Sequence, residues 1–393
     1  MDELIRRKMH EALEVEQPAA DLRSRVLSSL PANEPRMRRV WTLSGQWAIG
    51  FVAVLLAIAV VGGLLYSRGA LPISPASPAS PKSALPAHGR IAFTMQFGPP
   101  GCGSSGHLCD YGNIFSIEPN GTGLRRLTNV AMGLDQDPDW SPTGDRIVFD
   151  VAFPLGSGGY EATSSNIFSM DADGGSMRQL TSEPTGVFDG DAVISPDGNR
   201  IAFERFDLSG RLTGIWLMNG DGSNIVRVTT PPASAAGGDQ RPDFSPDSTQ
   251  LTFDRDGSDN GDGVIYIVGI DGKGLRQVTP PSFNFVRPRW SPNGSKLVFS
   301  NPQGAGPSPS RNIYVINTDG NGLLALTHLS YPAFAGGPTW SPDGTMIVYD
   351  VFTGTYSIQL AVMHADGSNP IVIWHQAPST NFFAASAAWG TAP

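Results

Sequence analysis

A short phrase that returns about every fifty residues is the strongest constraint on the fold of this 393-residue chain. The phrase is an aromatic or aliphatic residue followed by Ser-Pro and usually by Asp-Gly. Its copies begin at Trp140, Ile194, Phe244, Trp290 and Trp340, with a weaker sixth copy at Trp389, so the intervals are 54, 50, 46, 50 and 49 residues. A fixed period of this length indicates a repeat architecture in which each copy is one supersecondary unit.

Each copy has the pattern of four β-strands. The phrase is followed by a β-branched and aromatic run such as Ile147-Val148-Phe149, and then, after a variable loop, by a second apolar run such as residues 313–316. Such runs are typical of strands. Asn-Gly or Asp-Gly, which tolerate positive φ in a hairpin turn, precede a short last strand. These dipeptides begin at Asn120, Asp173, Asp221, Asp271, Asp319 and Asp366.

The Ser-Pro-Asp-Gly part of the phrase predicts a turn between the first and second strands. In a type I turn Ser suits the first position, Pro fixes φ at the second, and Gly suits the fourth. Fifty-residue units of four strands, with no helical pattern between them, favour a β-propeller over helical repeats.

The order of the strands predicts how the ring closes. The first copy offers second, third and fourth strands at residues 90–93, 113–117 and 124–128, but no first strand before them. Residues 387–390 have the pattern of a first strand with nothing after it. We therefore predict an all-β, six-bladed β-propeller over residues 88–393 whose C-terminal strand completes blade one and removes the open edges. This arrangement leaves no room for a following catalytic domain.

The combined series of Trp-Ser-Pro-Asp-Gly, Ile-Val-Phe, Ile-Tyr and Asp-Gly elements resembles the Trp-Asp-repeat-like propeller of the TolB type across residues 88–393. The resemblance implies the same six-bladed fold. The chain departs from the pattern locally: Ile194 replaces the aromatic residue, Ser248 replaces Gly, and Gly390-Thr391 replace Ser-Pro. TolB also carries a second, α/β domain, and nothing in this chain resembles it, so the resemblance does not transfer the partners of TolB.

The first ninety residues predict a membrane anchor. Trp47 to Tyr66 is an uncharged, almost wholly apolar stretch of 20 residues, which matches the length of a bilayer-spanning helix. A cleaved signal peptide would have its apolar core nearer the N-terminus. Arg36, Arg38 and Arg39 precede the stretch, so the positive-inside rule places the N-terminus in the cytoplasm and the propeller outside. We predict a bacterial single-pass protein of the cytoplasmic membrane.

This prediction divides the chain into four segments. Residues 1–40 form a cytoplasmic helical tail, residues 45–67 the transmembrane helix, residues 68–87 a Pro-rich linker, and residues 88–393 the propeller. Pro72, Pro75, Pro78 and Pro81 recur every third residue, which is typical of a polyproline II spacer. The apolar positions of the tail have helical spacing.

The charge distribution argues against a nucleic-acid partner. The chain has a net charge of −9, and because residues 1–87 carry +3, the predicted propeller carries −12. Nucleic-acid backbones select basic surfaces instead.

Cys102 and Cys109 are predicted to form a disulfide, because a close pair outside the cytoplasm is most simply a bridge. The alternative is a metal site with His107, but structural zinc takes four ligands and only three are local. Residues 254–263 are similar to a calcium loop, yet Ile267 stands where an EF-hand needs Glu, which favours a solvated hairpin loop over a looser calcium site. We therefore predict no metal and no cofactor. Because the phosphate-binding and hydrolase motifs are also missing, we expect no enzyme activity.

Charged residues just before the aromatic residue of the repeated phrase are the candidate binding site. They occupy similar places in neighbouring copies, and first strands line a propeller's channel, so we expect them near the channel mouth on the face of the long loops. One interpretation is a salt-bridged, solvated rim, and the other is a site for a polar ligand or cation. The candidates are Asp137, Asp139, Asp191, Arg241, Asp243, Arg287 and Arg289.

Two functional classes fit these observations. The first is a membrane-tethered binding module that recognises an envelope protein, peptide or glycan on its long-loop face. The second is a single-span sensor, similar in layout to an anti-sigma regulator, in which the propeller controls a cytoplasmic protein bound to the tail.

Overall fold

The computed structural model describes residues 89–97, 111–129, 134–154, 162–207, 212–232, 235, 238–256, 263–280, 284–301, 311–352, 358–375 and 382–391. In these ranges every regular element is a β-strand. The described residues contain no helix of the length and apolar character needed to cross a membrane. The predicted tail, transmembrane helix and linker, and the Cys102–Cys109 disulfide, lie outside the described residues and remain predictions.

The described strands form six antiparallel sets of four, which we call units one to six, and single parallel bridges at Gly112–Leu134 and Ser165–Phe188 join the first three sets into one 12-stranded sheet. Unit one contains β24 (Phe382–Gly390), β1 (Arg90–Phe97), β2 (Tyr111–Ile117) and β3 (Arg125–Arg126). Unit two contains β4 (Leu134–Trp140), β5 (Arg146–Pro154), β6 (Ala162–Asp171) and β7 (Arg178–Gln179). Unit three contains β8 (Val187–Ile194), β9 (Arg200–Asp207), β10 (Leu212–Asn219) and β11 (Val226–Arg227). Unit four contains β12 (Gly238–Phe244), β13 (Gln250–Asp256), β14 (Gly263–Gly269) and β15 (Arg276–Gln277). Unit five contains β16 (Val286–Trp290), β17 (Lys296–Ser300), β18 (Ile313–Asn317) and β19 (Leu324–Ala325). Unit six contains β20 (Phe334–Trp340), β21 (Met346–Phe352), β22 (Ile358–His364) and β23 (Ile371–Trp374).

The C-terminal strand supplies the first strand of unit one, as the order of strands predicts. β24 runs antiparallel to β1, with Trp389 opposite Ile91. Each first strand also contacts the first strand of the next unit, and β24 contacts both β20 and β4. The first strands therefore surround a central space, which we call the channel.

The Ser-Pro-Asp-Gly phrase forms the turn between first and second strands. In unit three the Gly198 N–H donates to the Ser195 carbonyl over 2.8 Å, and the Ser195 hydroxyl accepts the Arg200 N–H over 2.9 Å. Ser248, which replaces the expected Gly in unit four, adopts a φ of 59° and its hydroxyl accepts the N–H of Asp197. The substitution thus keeps the left-handed backbone and gains a contact with unit three.

The hydrophobic core lies between neighbouring units. Ile91 and Phe93 of unit one pack with Val348 and Val362 of unit six, across the position where the ring would close. The second-strand aromatic residue of each unit is buried, from Phe93 to Tyr349. Because each such side chain stabilises the fold by about 2–3 kcal/mol, the packing between units is a main source of stability.

Candidate functional site

Every first strand contains one residue with a left-handed backbone at the same position. The pairing register with the second strand shifts there, which defines a β-bulge. The six residues and their φ angles are Asp137 (49°), Asp191 (46°), Arg241 (53°), Arg287 (57°), Gly337 (54°) and Ser386 (55°). A non-glycine residue in this region costs about 1–2 kcal/mol, so the surrounding structure must hold it.

Acidic side chains of the preceding unit hold three of these bulges. Asp150 accepts the backbone N–H of Asp191 over 3.3 Å. Glu204 accepts the N–H of Arg241 over 2.9 Å. Asp254 accepts the N–H of Arg287 over 3.0 Å, and Asp350 is the equivalent residue of unit six. A side chain at Gly337 would collide with the Asp350 carboxylate, which together with the positive φ explains the glycine there.

Sequence reasoning missed these second-strand carboxylates. A signal was present, because each one directly follows the buried aromatic residue of its second strand, as Asp150 follows Phe149. The solvated loop predicted for residues 254–263 is wrong at Asp254, because β13 continues to Asp256 and Asp254 is buried; residues 257–262 lie outside the described residues. Asp254 lies opposite Gln240 in the strand register and accepts a hydrogen bond from the Arg241 side chain, so its carboxylate belongs to the channel.

The predicted charges form two layers of ion pairs in the channel. Arg287 Nη1 donates to Asp137 Oδ1 over 3.1 Å, to Asp191 Oδ1 over 3.3 Å and to the Ser386 hydroxyl over 3.3 Å. Arg241 Nη1 donates to Asp254 Oδ2 over 2.7 Å. The Arg287 contacts join unit five to units one, two and three, so this side chain crosses the channel.

A second layer lies two residues further along the first strands. Arg289 Nη1 is 3.4 Å from Asp243 Oδ1 and 4.0 Å from Asp139 Oδ1. Asp243 also accepts the N–H of Trp290, and Asp139 that of Ile194. The structure thus brings together all seven residues named from the sequence and shows them as ion pairs. Whether they also bind a ligand remains a prediction.

Carboxyl groups outnumber guanidinium groups in this network. Burial, followed by the negative charge of Asp191, raises the pKa of Glu204 to about 8, and burial raises the pKa of Asp254 to about 6. Burial also disfavours ionisation of Asp137, but the charges of Arg287 and Arg241 and the hydrogen bonds from Ser386 and Arg287 together lower its pKa. The network therefore retains protons near neutral pH and keeps Asp137 ionised. Among the described residues, no group of His, Cys, Asp and Glu has the geometry of a metal site.

A pocket of about 270 Å³ lies between units four and five. Arg241, Arg287 and Arg311 line it, together with Asp254 and Asn284. The Asn284 side chain accepts the N–H of Gly263, which is the first residue of β14 and lies at the long-loop end of that strand. The pocket therefore belongs to the long-loop side of the channel.

A separate row of charges lies near the start of the first strands. Asp239 and Arg255 face each other across β12 and β13 and form two hydrogen bonds, and Asp189 pairs in the same way with Arg205. Asp135 is the equivalent residue of unit two, but Val151 stands opposite it. Asp135 is fully buried, and within the described residues neither carboxylate oxygen has a hydrogen-bond partner.

Comparison with known proteins identifies the fold. The family model described as TolB beta propeller domain, PD40, matches residues 193–392. The chain belongs to the TolB β-propeller family. The TolB-type propeller predicted from the repeated phrase is therefore confirmed, and the all-β character agrees with the described strands.

Individual relatives cover different shares of the chain. An uncharacterized protein of Agrobacterium fabrum is 26% identical over 243 residues, which are 60% of this chain and 73% of the relative. A TolB homolog of Chlorobium luteolum is 33% identical over 173 residues, or 41% of this chain, and the match spans only 35% of that relative. The crystal structure of TolB from Acinetobacter baumannii superposes with a TM-score of 0.59 at 18% identity, over 77% of this chain and 66% of that one. This structural likeness concerns the fold alone.

Proposed function

We propose that this TolB-family protein is a non-enzymatic binding module outside the cytoplasmic membrane, with an envelope protein as its partner. We further propose that the six four-stranded units form a closed six-bladed ring with β24 as the closing strand. Two facts support the ring: the first strands contact one another in a circuit, and the unit-one core packs on unit six.

The observation that carries the binding role is the strained, prearranged charge network of the channel. Asp137, Asp191, Arg241 and Arg287 all adopt φ angles that are unfavourable for their residue types. Backbone strain of this kind clusters at functional sites, where it holds side chains ready for a ligand. A network needed only for stability would gain more from apolar packing, because desolvation offsets most of the energy of buried ion pairs.

The side chains of the network suit recognition better than catalysis. Arg287 is shared between two carboxylates, and Asp254 is occupied by Arg241 and by a backbone N–H. A catalytic acid or base must instead be free to reach a reacting atom. Ordered, partly exposed charges around a concave site provide specificity and steer the approach of a partner.

Site-specific photo-cross-linking tests the binding role. Tyr331 is exposed and lies three residues before β20, on the long-loop side, so a benzophenone amino acid can replace it conservatively. Lys273 lies in the turn between β14 and β15, on the opposite face, and is the matched control. We expect a defined protein adduct in intact cells from position 331 and none from position 273. Equal labelling at both positions, or no adduct at position 331, would refute the proposed face.

We propose that residues 45–67 tether the propeller to the membrane. The support is the uncharged stretch from Trp47 to Tyr66 with three arginines before it. We expect the full-length chain to remain with membranes after carbonate extraction. Release of the intact chain into the soluble fraction would exclude a spanning helix.

A further inference from the structure

This inference rests on the proposed binding role and names the chemistry of the ligand. We propose that the pocket bounded by Arg241, Arg287 and Arg311 binds a carboxylate group carried by a peptide segment of the partner protein. The carboxylate is a side chain of Asp or Glu, or the C-terminal group.

Arg241 and Arg287 keep hydrogen-bond donors available on the pocket side of the network. All the side-chain hydrogen bonds of Arg287 within the described residues use Nη1, and Arg241 likewise uses only Nη1. A guanidinium has five N–H donors, so Nε and Nη2 of both residues have no partner in the described part of the chain. The two side chains are 26% and 31% exposed, so a ligand can reach them.

The internal ion pairs also fix the position of these donors. Asp254 holds Arg241 through its side chain and Arg287 through its backbone N–H. The opposite end of the Arg287 side chain is held by Asp137 and Asp191. Because the guanidinium groups are held before a ligand arrives, binding costs less conformational entropy than with free arginines.

Arg311 adds a third positive charge at the wall of the pocket. Its guanidinium lies 5.1 Å from the centre of the Phe334 ring, in a cation–π contact that limits its freedom. Burial and the charges of Arg287 and Arg241 lower the pKa of Arg311, against the opposing effect of Asp350. Three guanidinium groups close enough to repel one another would be stabilised by one bound anion.

The charge balance selects a single carboxylate over more highly charged groups. Asp254 and Asp256 also line the pocket, so its net charge is only +1. A phosphate group at neutral pH carries nearly two charges and would be repelled by these aspartates. A planar carboxylate matches the fork of a guanidinium and brings one charge.

The region around the pocket favours a peptide over an acidic polysaccharide. Residues 88–393 carry a net charge of −12, so a chain with a carboxylate on every sugar would be repelled outside the pocket. A peptide can present one carboxylate between neutral residues.

Calorimetric titration of the full-length chain in a non-ionic detergent tests the proposal. The probes are a short blocked peptide of Ala and Ser with one central Glu, the same peptide with Gln, and a tri-galacturonate. We expect the Glu peptide to bind about tenfold more tightly than the Gln peptide, the usual value of a charged hydrogen-bonded pair, and more tightly than tri-galacturonate. Arg311→Gln should abolish this preference, and Arg311→Lys should restore part of it.

Arg276→Gln is the control for charge, because Arg276 belongs to unit four but lies on the exposed outer strand β15. This variant should retain the tenfold preference. If the Glu and Gln peptides bind equally and Arg241→Gln weakens the binding of both, carboxylate recognition is overturned but the proposed binding role is preserved. Tighter binding of tri-galacturonate would assign the site to glycans. No binding of any probe, or equal effects of Arg311→Gln and Arg276→Gln, would overturn the pocket itself.

Discussion

Replacing Asp135 by Asn should stabilise the protein at neutral pH, although it removes a charged residue from the interior. Asp135 is buried opposite Val151, where units three and four place Arg205 and Arg255. Burial raises its pKa from 3.8 to about 6, and the charge of Arg126 only partly opposes this shift. The folded protein therefore pays a free-energy cost to keep Asp135 ionised.

The size and pH range of the effect follow from these two pKa values. Because the folded pKa is higher than the unfolded one, the stabilising contribution of protonated Asp135 is fully present below pH 3.8 and is lost as the pH rises through about 6. About two pKa units correspond to roughly 3 kcal/mol. Asp135→Asn should thus raise the free energy of unfolding by up to about 3 kcal/mol above pH 7 and by almost nothing near pH 4.

Urea unfolding at both pH values measures this difference, and Asp239→Asn is the matched control. Asp239 has the same strand position but pairs with Arg255, which is 9% exposed. Its replacement leaves a buried unpaired cation and should cost about 3–5 kcal/mol at neutral pH. If both variants destabilise the protein at neutral pH, or if Asp135→Asn has the same effect at pH 4, the reasoning about the missing arginine is wrong.

Three further predictions concern the ring, a turn and the channel. Trp389→Ala should lower the free energy of unfolding by about 3–5 kcal/mol, because β24 packs against units one and six. Deletion of residues 385–393 should prevent cooperative unfolding for the same reason. An unchanged urea midpoint would contradict the closure of unit one by β24. Ser176→Gly should raise the free energy of unfolding by about 0.5–1 kcal/mol, because Ser176 is exposed with a φ of 49°, and a loss of stability would show that its strain is compensated. Glu204→Gln should flatten the pH dependence of stability, because the pKa of Glu204 is raised from 4.5 to about 8. The stabilising contribution of protonated Glu204 is present below pH 4.5 and is lost as the pH rises through about 8. A variant whose stability changes with pH as steeply as that of the original protein would refute this assignment.

The fold could be predicted from the sequence because its determinants are local and repeated. The Ser-Pro-Asp-Gly turn depends on the φ of Pro and on a Ser hydroxyl that forms a hydrogen bond within five residues, so the sequence of each copy specifies its own turn. The place of β24 followed from the order of strands alone. The seven candidate charges could also be aligned, because each precedes the first residue of the phrase by either three residues or one.

The contacts within the site could not be predicted in the same way. The left-handed φ at Asp137 and its equivalents arises from a β-bulge, and of the six residues only Gly337 is a typical signal of one. The Arg287–Asp137 pair joins residues 150 positions apart, and its geometry depends on how distant units meet rather than on local sequence. Asp254 was misplaced because the acidic, glycine-rich residues after it resemble a loop. Burial depends on the neighbouring unit, which no local pattern records.

A competition experiment tests the central claim, that the partner occupies the channel mouth through a carboxylate. Cells or membranes containing the chain with the photo-cross-linker at position 331 are irradiated with increasing amounts of the blocked Glu peptide or its Gln counterpart. The account predicts that the Glu peptide suppresses the partner adduct and that the Gln peptide does so only at about tenfold higher concentration. A constant adduct yield at a saturating concentration of the Glu peptide would contradict the account.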